Sequence, residues 1–202
     1  MYDHQTFSLW STLQGKPVVG SLVGKDISLE RFPVVKSTWE KWAARHPSTT
    51  VLSLDTGHER DYGEGVAYRD YWATDKLKYS VSRRDDRLEN KTEVLVLREG
   101  DESVAITIDF LVKRNCFQQS LGERKWVLLT DSFGTCRVYD ASHYRFSNWN
   151  GIDQVIDEQG NPWQVTEDAL VSKEGVELKR FAAHRAFWFG WYAQFPNAKL
   201  VK

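Results

Sequence analysis

The sequence predicts a mainly β (α+β) fold, a pseudo-repeat of antiparallel sheet segments that each carry a short Trp-rich helix. Three observations lead there. The middle of the chain is a series of β-branched or apolar runs separated by Gly or polar turns. A Trp-x-x-Trp segment occurs twice, each time at the same distance from an upstream Arg-Phe and a downstream Pro. With 202 residues, one large domain or two small lobes can bury about 70% of the unfolded surface without metal or disulfide staples.

The repeat sets out the ends of the chain. Residues 27–52 align without a gap on residues 176–201, placing Arg31-Phe32 on Arg180-Phe181, Trp39 on Trp188, Trp42 on Trp191 and Pro47 on Pro196. A looser match runs upstream, from Tyr2-Asp3 and Trp10 to Ile156-Asp157 and Trp163. In the first copy Ser37 and Glu40 have the spacing of a capping box. Trp39, Trp42, Ala43 and His46 then share one helical face, as do Trp188, Trp191, Tyr192 and Phe195 in the second. Pro47 and Pro196 end the two helices, and strands are expected at Thr50–Leu54 and Lys199–Val201.

In the middle, strands are expected at Glu93–Arg98, Val104–Phe110, Lys125–Asp131 and Cys136–Ala141. Phe110 to Leu121 reads as a further strand or an irregular crossover. Residues 55–92, rich in Asp, Gly, Tyr and Arg, read as a long ordered loop. Tyr62, Tyr68, Tyr71, Tyr79 and Trp72 argue for order there, because such side chains favour burial.

Composition excludes several classes. Net charge is −1, from 27 basic and 28 acidic side chains that are interspersed, so no nucleic-acid partner is expected. Arg83-Arg84 is followed at once by Asp85-Asp86 and reads as a solvated loop. Ala186 to Phe195 is the longest apolar run and falls short of the roughly 20 residues of a membrane span. No signal peptide is visible at Met1-Tyr2-Asp3-His4. The two cysteines, Cys116 and Cys136, form no Cys-x-x-Cys pair, which excludes the usual structural zinc and thioredoxin-type sites. They are either bridged, closing a loop worth about 3 kcal/mol, or two buried free thiols.

No phosphate-binding loop, nucleophile elbow or zincin helix is present, so no motif names a cofactor. The densest polar cluster is Asp55-Thr56-Gly57-His58-Glu59-Arg60-Asp61-Tyr62-Gly63. Asp55, Thr56, Arg60, Asp61 and Tyr62 are candidates for ligand binding, with Arg60 suited to clamp an anion. His58, Glu59 and Asp61 are the candidate metal ligands. The same residues also read as a structural loop, since Asp and Gly recur in turns for backbone reasons. The Trp-x-x-Trp faces read as core seams or as aromatic platforms. His46 and His184 read as half-buried packing positions, Asp85-Asp86 as a solvated pair, and Asn90-Lys91-Thr92 fits a glycosylation sequon.

Laid out in this way, the chain resembles the bacterial and archaeal proteins called domain of unknown function 3179. The segments that carry the resemblance are Tyr2-Asp3 with Ser8-Leu9-Trp10-Ser11, Thr38-Trp39 through His46-Pro47, Asp55-Thr56-Gly57 with Arg60-Asp61-Tyr62-Gly63, and Ala186 through Trp191 with Phe195-Pro196. The resemblance implies two similar halves, with 1–54 the tail of the first, 55–91 a connecting loop and 92–202 the second. It also implies an exported or periplasmic protein, and it brings no activity with it. The family's Cys-Pro-x-Cys-Gly segment has its counterpart in Thr130–Thr135, where both cysteines are absent. The strands that open the family's first half have no counterpart before Tyr2. A second copy or a protein partner is expected to cover the edges thus exposed. The expected function is a non-catalytic binding or assembly module; the alternative is a metal- or small-ligand-dependent enzyme with its site in residues 55–72.

Overall fold

The computed structural model describes residues 1–141 and 143–202. Before residue 93 regular structure is sparse. It comprises a hairpin of β1 (Leu9–Ser11) and β2 (Lys16–Val19), helix α1 (Trp39–Arg45), and a 3-10 turn at Val66–Tyr68 that runs into α2 (Arg69–Trp72). After it, elements follow closely: β3 (Glu93–Glu99), β4 (Glu102–Thr107), α3 (Ile108–Lys113), β5 (Cys116–Leu121), β6 (Arg124–Thr130) and β7 (Cys136–Asp140). Then come β8 (Phe146–Ser147), β9 (Gln154–Asp157), β10 (Pro162–Val165), β11 (Ala169–Ser172), β12 (Glu177–Lys179), β13 (His184–Phe187), α4 (Trp188–Gln194) and β14 (Lys199–Val201). The protein is mainly β, as the sequence predicts.

The second region stacks three sheets, ordered β13-β3-β4-β14, β5-β6-β7 and β12-β11-β10-β9-β8. All pairings in them are antiparallel except β14 with β4. Side chains alternate across a strand, and here both faces find a core. Leu95 and Leu97 of β3 meet Trp126 and Leu128 of β6 in one cluster. Val94 and Val96 point the other way, onto Trp188 and Trp191 of α4. Val127 and Leu129 of β6 pack on Val155, Trp163 and Leu170 of the five-stranded sheet. Strands buried on both faces read as continuous apolar runs, which is why Val94–Leu97 and Trp126–Leu129 stand out in the sequence. Each such side chain contributes roughly 1.5–3 kcal/mol on burial.

Several expectations are corrected. Thr38, not Ser37, caps α1, accepting from the Lys41 amide at 3.4 Å, so Glu40 completes no capping box. Thr50–Leu54 forms no strand, having no neighbour to pair with. β4 stops at Thr107, whose hydroxyl accepts from the Phe110 amide and opens α3 instead of prolonging the strand. The cysteines are free: Cys136 belongs to the core on one face of β5-β6-β7 and Cys116 packs against the core on the other. Burial pushes the Cys116 thiol up to about 11, which leaves it unreactive. Tyr62, Tyr68, Tyr79 and Trp72 are exposed. Asp85, read as a solvated acid, is largely covered and holds Arg87 at 2.8 Å, with the guanidinium 5.2 Å from the Trp188 ring and 5.7 Å from that of Tyr192.

The segments aligned in the sequence share local geometry. Asp3 accepts from the Trp10 indole at 2.9 Å and from the Thr6 amide. Asp157 accepts from the Trp163 indole at 3.0 Å and from the Gln159 and Asn161 amides. Each carboxylate folds its own turn back on a Trp. Burial works to raise the Asp157 carboxyl, but the Trp163 and Asn161 hydrogen bonds outweigh it and hold it below the usual range.

Candidate functional site

Residues 47–65 are exposed throughout. Within them, Gly57 and Gly65 take positive φ of 73° and 70°, and short bonds shape the loop. The Thr56 hydroxyl meets the Tyr62 hydroxyl at 2.8 Å, the Asp61 carboxylate accepts from the Gly63 amide at 2.8 Å, and the Asp55 amide donates to Ser53. Thr56, Asp61 and Tyr62 are thus drawn together by turn geometry. The His58, Glu59 and Arg60 side chains have no partner among the described residues. No group of three His, Cys, Asp or Glu side chains able to hold a metal ion gathers among the described residues. In the open, such polar groups face water, where single ion pairs are worth about 0–1 kcal/mol.

Two better-built polar constellations lie elsewhere. The first docks α1. Lys41 and Arg45, four residues apart, project from one side of the helix. Lys41 meets Asp131 at 2.5 Å and lies 4.3 Å from the Phe133 ring. Arg45 reaches Glu167 at 2.5 Å and the Ile152 carbonyl. Glu167 also receives Arg137 at 2.7 Å and faces Arg180 at 3.6 Å. Burial works to raise the Glu167 carboxyl, but the Arg137 and Arg45 guanidiniums hold it low. Asp131 in turn accepts from the Phe133 and Thr135 amides, so the loop between β6 and β7 is organised by a carboxylate. The Lys-x-x-x-Arg spacing beside the Trp face is the signal in the sequence that finds this cluster.

The second is Asp75, which accepts from the Asn90 and Lys91 amides and the Asn90 side chain. The Lys91 ammonium caps the Tyr71 and Thr74 carbonyls and lies 3.8 Å from the Tyr71 ring. Trp72 packs edge-on against Phe187 at 5.3 Å. Asn90 of the sequon is thereby engaged in holding the loop. Beside this anchor, residues 66–81 and Phe189 enclose a cleft of about 790 Å³.

The aromatic helices differ in cover. Trp188 and Trp191 are 0% exposed, whereas Trp39 and Trp42 are 55% and 45% exposed. All but three of the exposed large apolar side chains lie before residue 80. No helix of the described residues is long and apolar enough to cross a membrane.

Three stacked sheets preceded by a thinly packed, aromatic-rich region define a mainly β protein. The chain belongs to a family of proteins of unknown function: the family model described as "Protein of unknown function (DUF3179)" matches residues 1–198. No curated protein and no solved structure matches it.

Proposed function

We propose that this chain is a non-catalytic assembly module, in which residues 1–54 and 92–202 are the tail of one half and the whole of a second, similar half. The carrying observation is the bare aromatic face of α1. Its polar side is spent on Asp131 and Glu167, and its Trp side meets no sheet. Contiguous apolar surface of this kind marks interaction sites. A net charge of −1 gives copies of the chain little mutual repulsion, so a second copy is the occupant the composition favours. The alternative is a metal- or small-ligand-dependent enzyme with its site in residues 55–72, and its small-ligand form draws support from the cleft that begins at Val66.

Light scattering on the eluting protein tests the assembly reading. An oligomer that dissociates in the Trp39→Glu/Trp42→Glu variant, with the circular dichroism spectrum of the fold retained, is the expected outcome. A wild-type chain that stays monomeric at the highest concentration reached overturns it.

A further inference from the structure

We infer that the cleft formed by residues 66–81 and Phe189 is a binding site for a small planar anion, an aromatic ring bearing a carboxylate or phosphate. This inference stands apart from the assembly reading and uses none of its residues.

The first support is a fixed floor. Loops seldom hold a cavity unless something pins them, and here Asp75 ties residues 71–75 to Asn90 and Lys91 at the start of β3. Lys91 closes the same turn from the other side through the Tyr71 and Thr74 carbonyls. Phe189, on the first turn of α4, has its amide bonded to the Asn90 carbonyl at 3.0 Å, so the far wall belongs to the folded core. Asp75 and Lys91 are thereby used up on each other's segments, and neither charge is left for a ligand.

The second support is the size and character of the lining. About 790 Å³ falls within the range of small-molecule sites, roughly 300–1,000 Å³. Tyr68 and Tyr79 line the space yet are largely exposed, which leaves ring faces available for stacking. A ring-shaped ligand covers apolar surface that is otherwise in water.

The third support is charge. Arg69, Lys76 and Lys78 line the cleft against a single carboxylate, Asp70. The Lys78 ammonium lies 5.5 Å from the Tyr79 ring, so cation and ring form one wall. One carboxylate is too few for a metal ion. A cationic ligand would meet three like charges. An anion on a planar ring satisfies the cations and the aromatic rings at once.

Saturation-transfer NMR titrations with 2-naphthoate, 2-naphthyl phosphate and neutral 2-naphthol test the site. The expected result is binding of both anions, several-fold weaker binding of the neutral ring, and weakening by added salt. Lys76→Ala/Lys78→Ala should cost about tenfold in affinity, as two partly exposed charges do, and Tyr79→Ser a comparable factor. The melting temperature of these exposed-site variants should not move. Equal binding of naphthol and naphthoate overturns the inference, as does affinity unchanged in both variants. So does affinity lost in Trp39→Ala/Trp42→Ala instead, which would place the probe on α1. Preference for the phosphate over the carboxylate identifies the source of the negative charge.

Discussion

Helices α1 and α4 have nearly the same backbone and opposite fates. Their N-cap residues sit at φ −80°, ψ 155° and φ −78°, ψ 143°, and their C-cap residues at φ −129°, ψ 67° and φ −129°, ψ 68°. Trp42 lies on His46 with ring centres 4.0 Å apart, and Trp191 on Phe195 at 4.2 Å. Yet α4 lies on β3 and β4, while α1 is held to the molecule by Lys41 and Arg45. Local sequence sets the turn of helix and its stacked pair; a neighbouring sheet decides whether the Trp face is a core or a surface.

The sharpest way to break this comparison is to truncate equivalent tryptophans. Trp188→Ala should cost about 3–5 kcal/mol in urea unfolding and Trp39→Ala under about 0.5. Measured at a dilution where the chain is monomeric, equal costs would mean that another part of the same chain covers the α1 face. Next in size is Asp157→Ala, which strands the buried Trp163 indole and the Asn161 amide and should cost about 1–3 kcal/mol by the same measurement.

Glu167→Gln removes the negative charge shared by Arg45, Arg137 and Arg180 and turns one acceptor oxygen into a donor amide. Breaking a buried pair costs about 3–5 kcal/mol, but Glu167 is partly exposed and screened, so about 1–2 is expected. Hydrogen exchange should rise across residues 39–45 in that variant. An unchanged α1 would show that Lys41 and Asp131 suffice to hold it. Thr38→Ala should cost about 0.5–1 kcal/mol and Ser37→Ala nothing measurable, which separates the two candidate caps.

The smallest effect is on pH dependence. Hydrogen bonds from the Trp10 indole and from Thr6 hold the Asp3 carboxyl at about 2. A carboxyl depressed by folding stabilises the native state above its ordinary value, near about 4, and that contribution fades as pH falls toward about 2. The Trp10 indole proton shift should titrate with a midpoint near 2; a midpoint at the ordinary value would show the turn open in solution.

Much of the fold is legible in the sequence because the Val94–Leu97 run of β3 and the Trp126–Leu129 run of β6 are apolar on both faces and carry no competing period. The α1 and α4 helices are legible from Trp spacing and the following Pro. What misleads is local ambiguity settled by distant partners. Val104–Phe110 is rich in β-branched residues (Val104, Ile106, Thr107, Ile108), and the Thr107 hydroxyl turning to the Phe110 amide makes a helix of its end. Thr50–Leu54 has strand composition without an adjacent strand. The candidate loop at 55–63 is conspicuous because its residue types are reactive, yet reactivity needs enclosure, and enclosure depends on which sheets lie nearby. The cleft at 66–81 escapes notice because its segment is pinned by Asn90 and Lys91 and its far wall is Phe189, all further along the chain.

The order of strands in the sheet under α4 also sets the order in which it can be built. β13 pairs with β3, whose Glu93 meets Arg185 across 92 positions of chain, and β14 pairs with β4. The β5-β6-β7 meander, by contrast, joins neighbours through short turns. During synthesis the meander can form as soon as it emerges and cover the Leu95, Leu97 and Ile106 face of the β3-β4 hairpin, while the Val94, Val96 and Ala105 face stays bare until α4 arrives. Such long-range closure is slow and exposes edges, so the window before β13 and β14 arrive is when this protein is most open to aggregation.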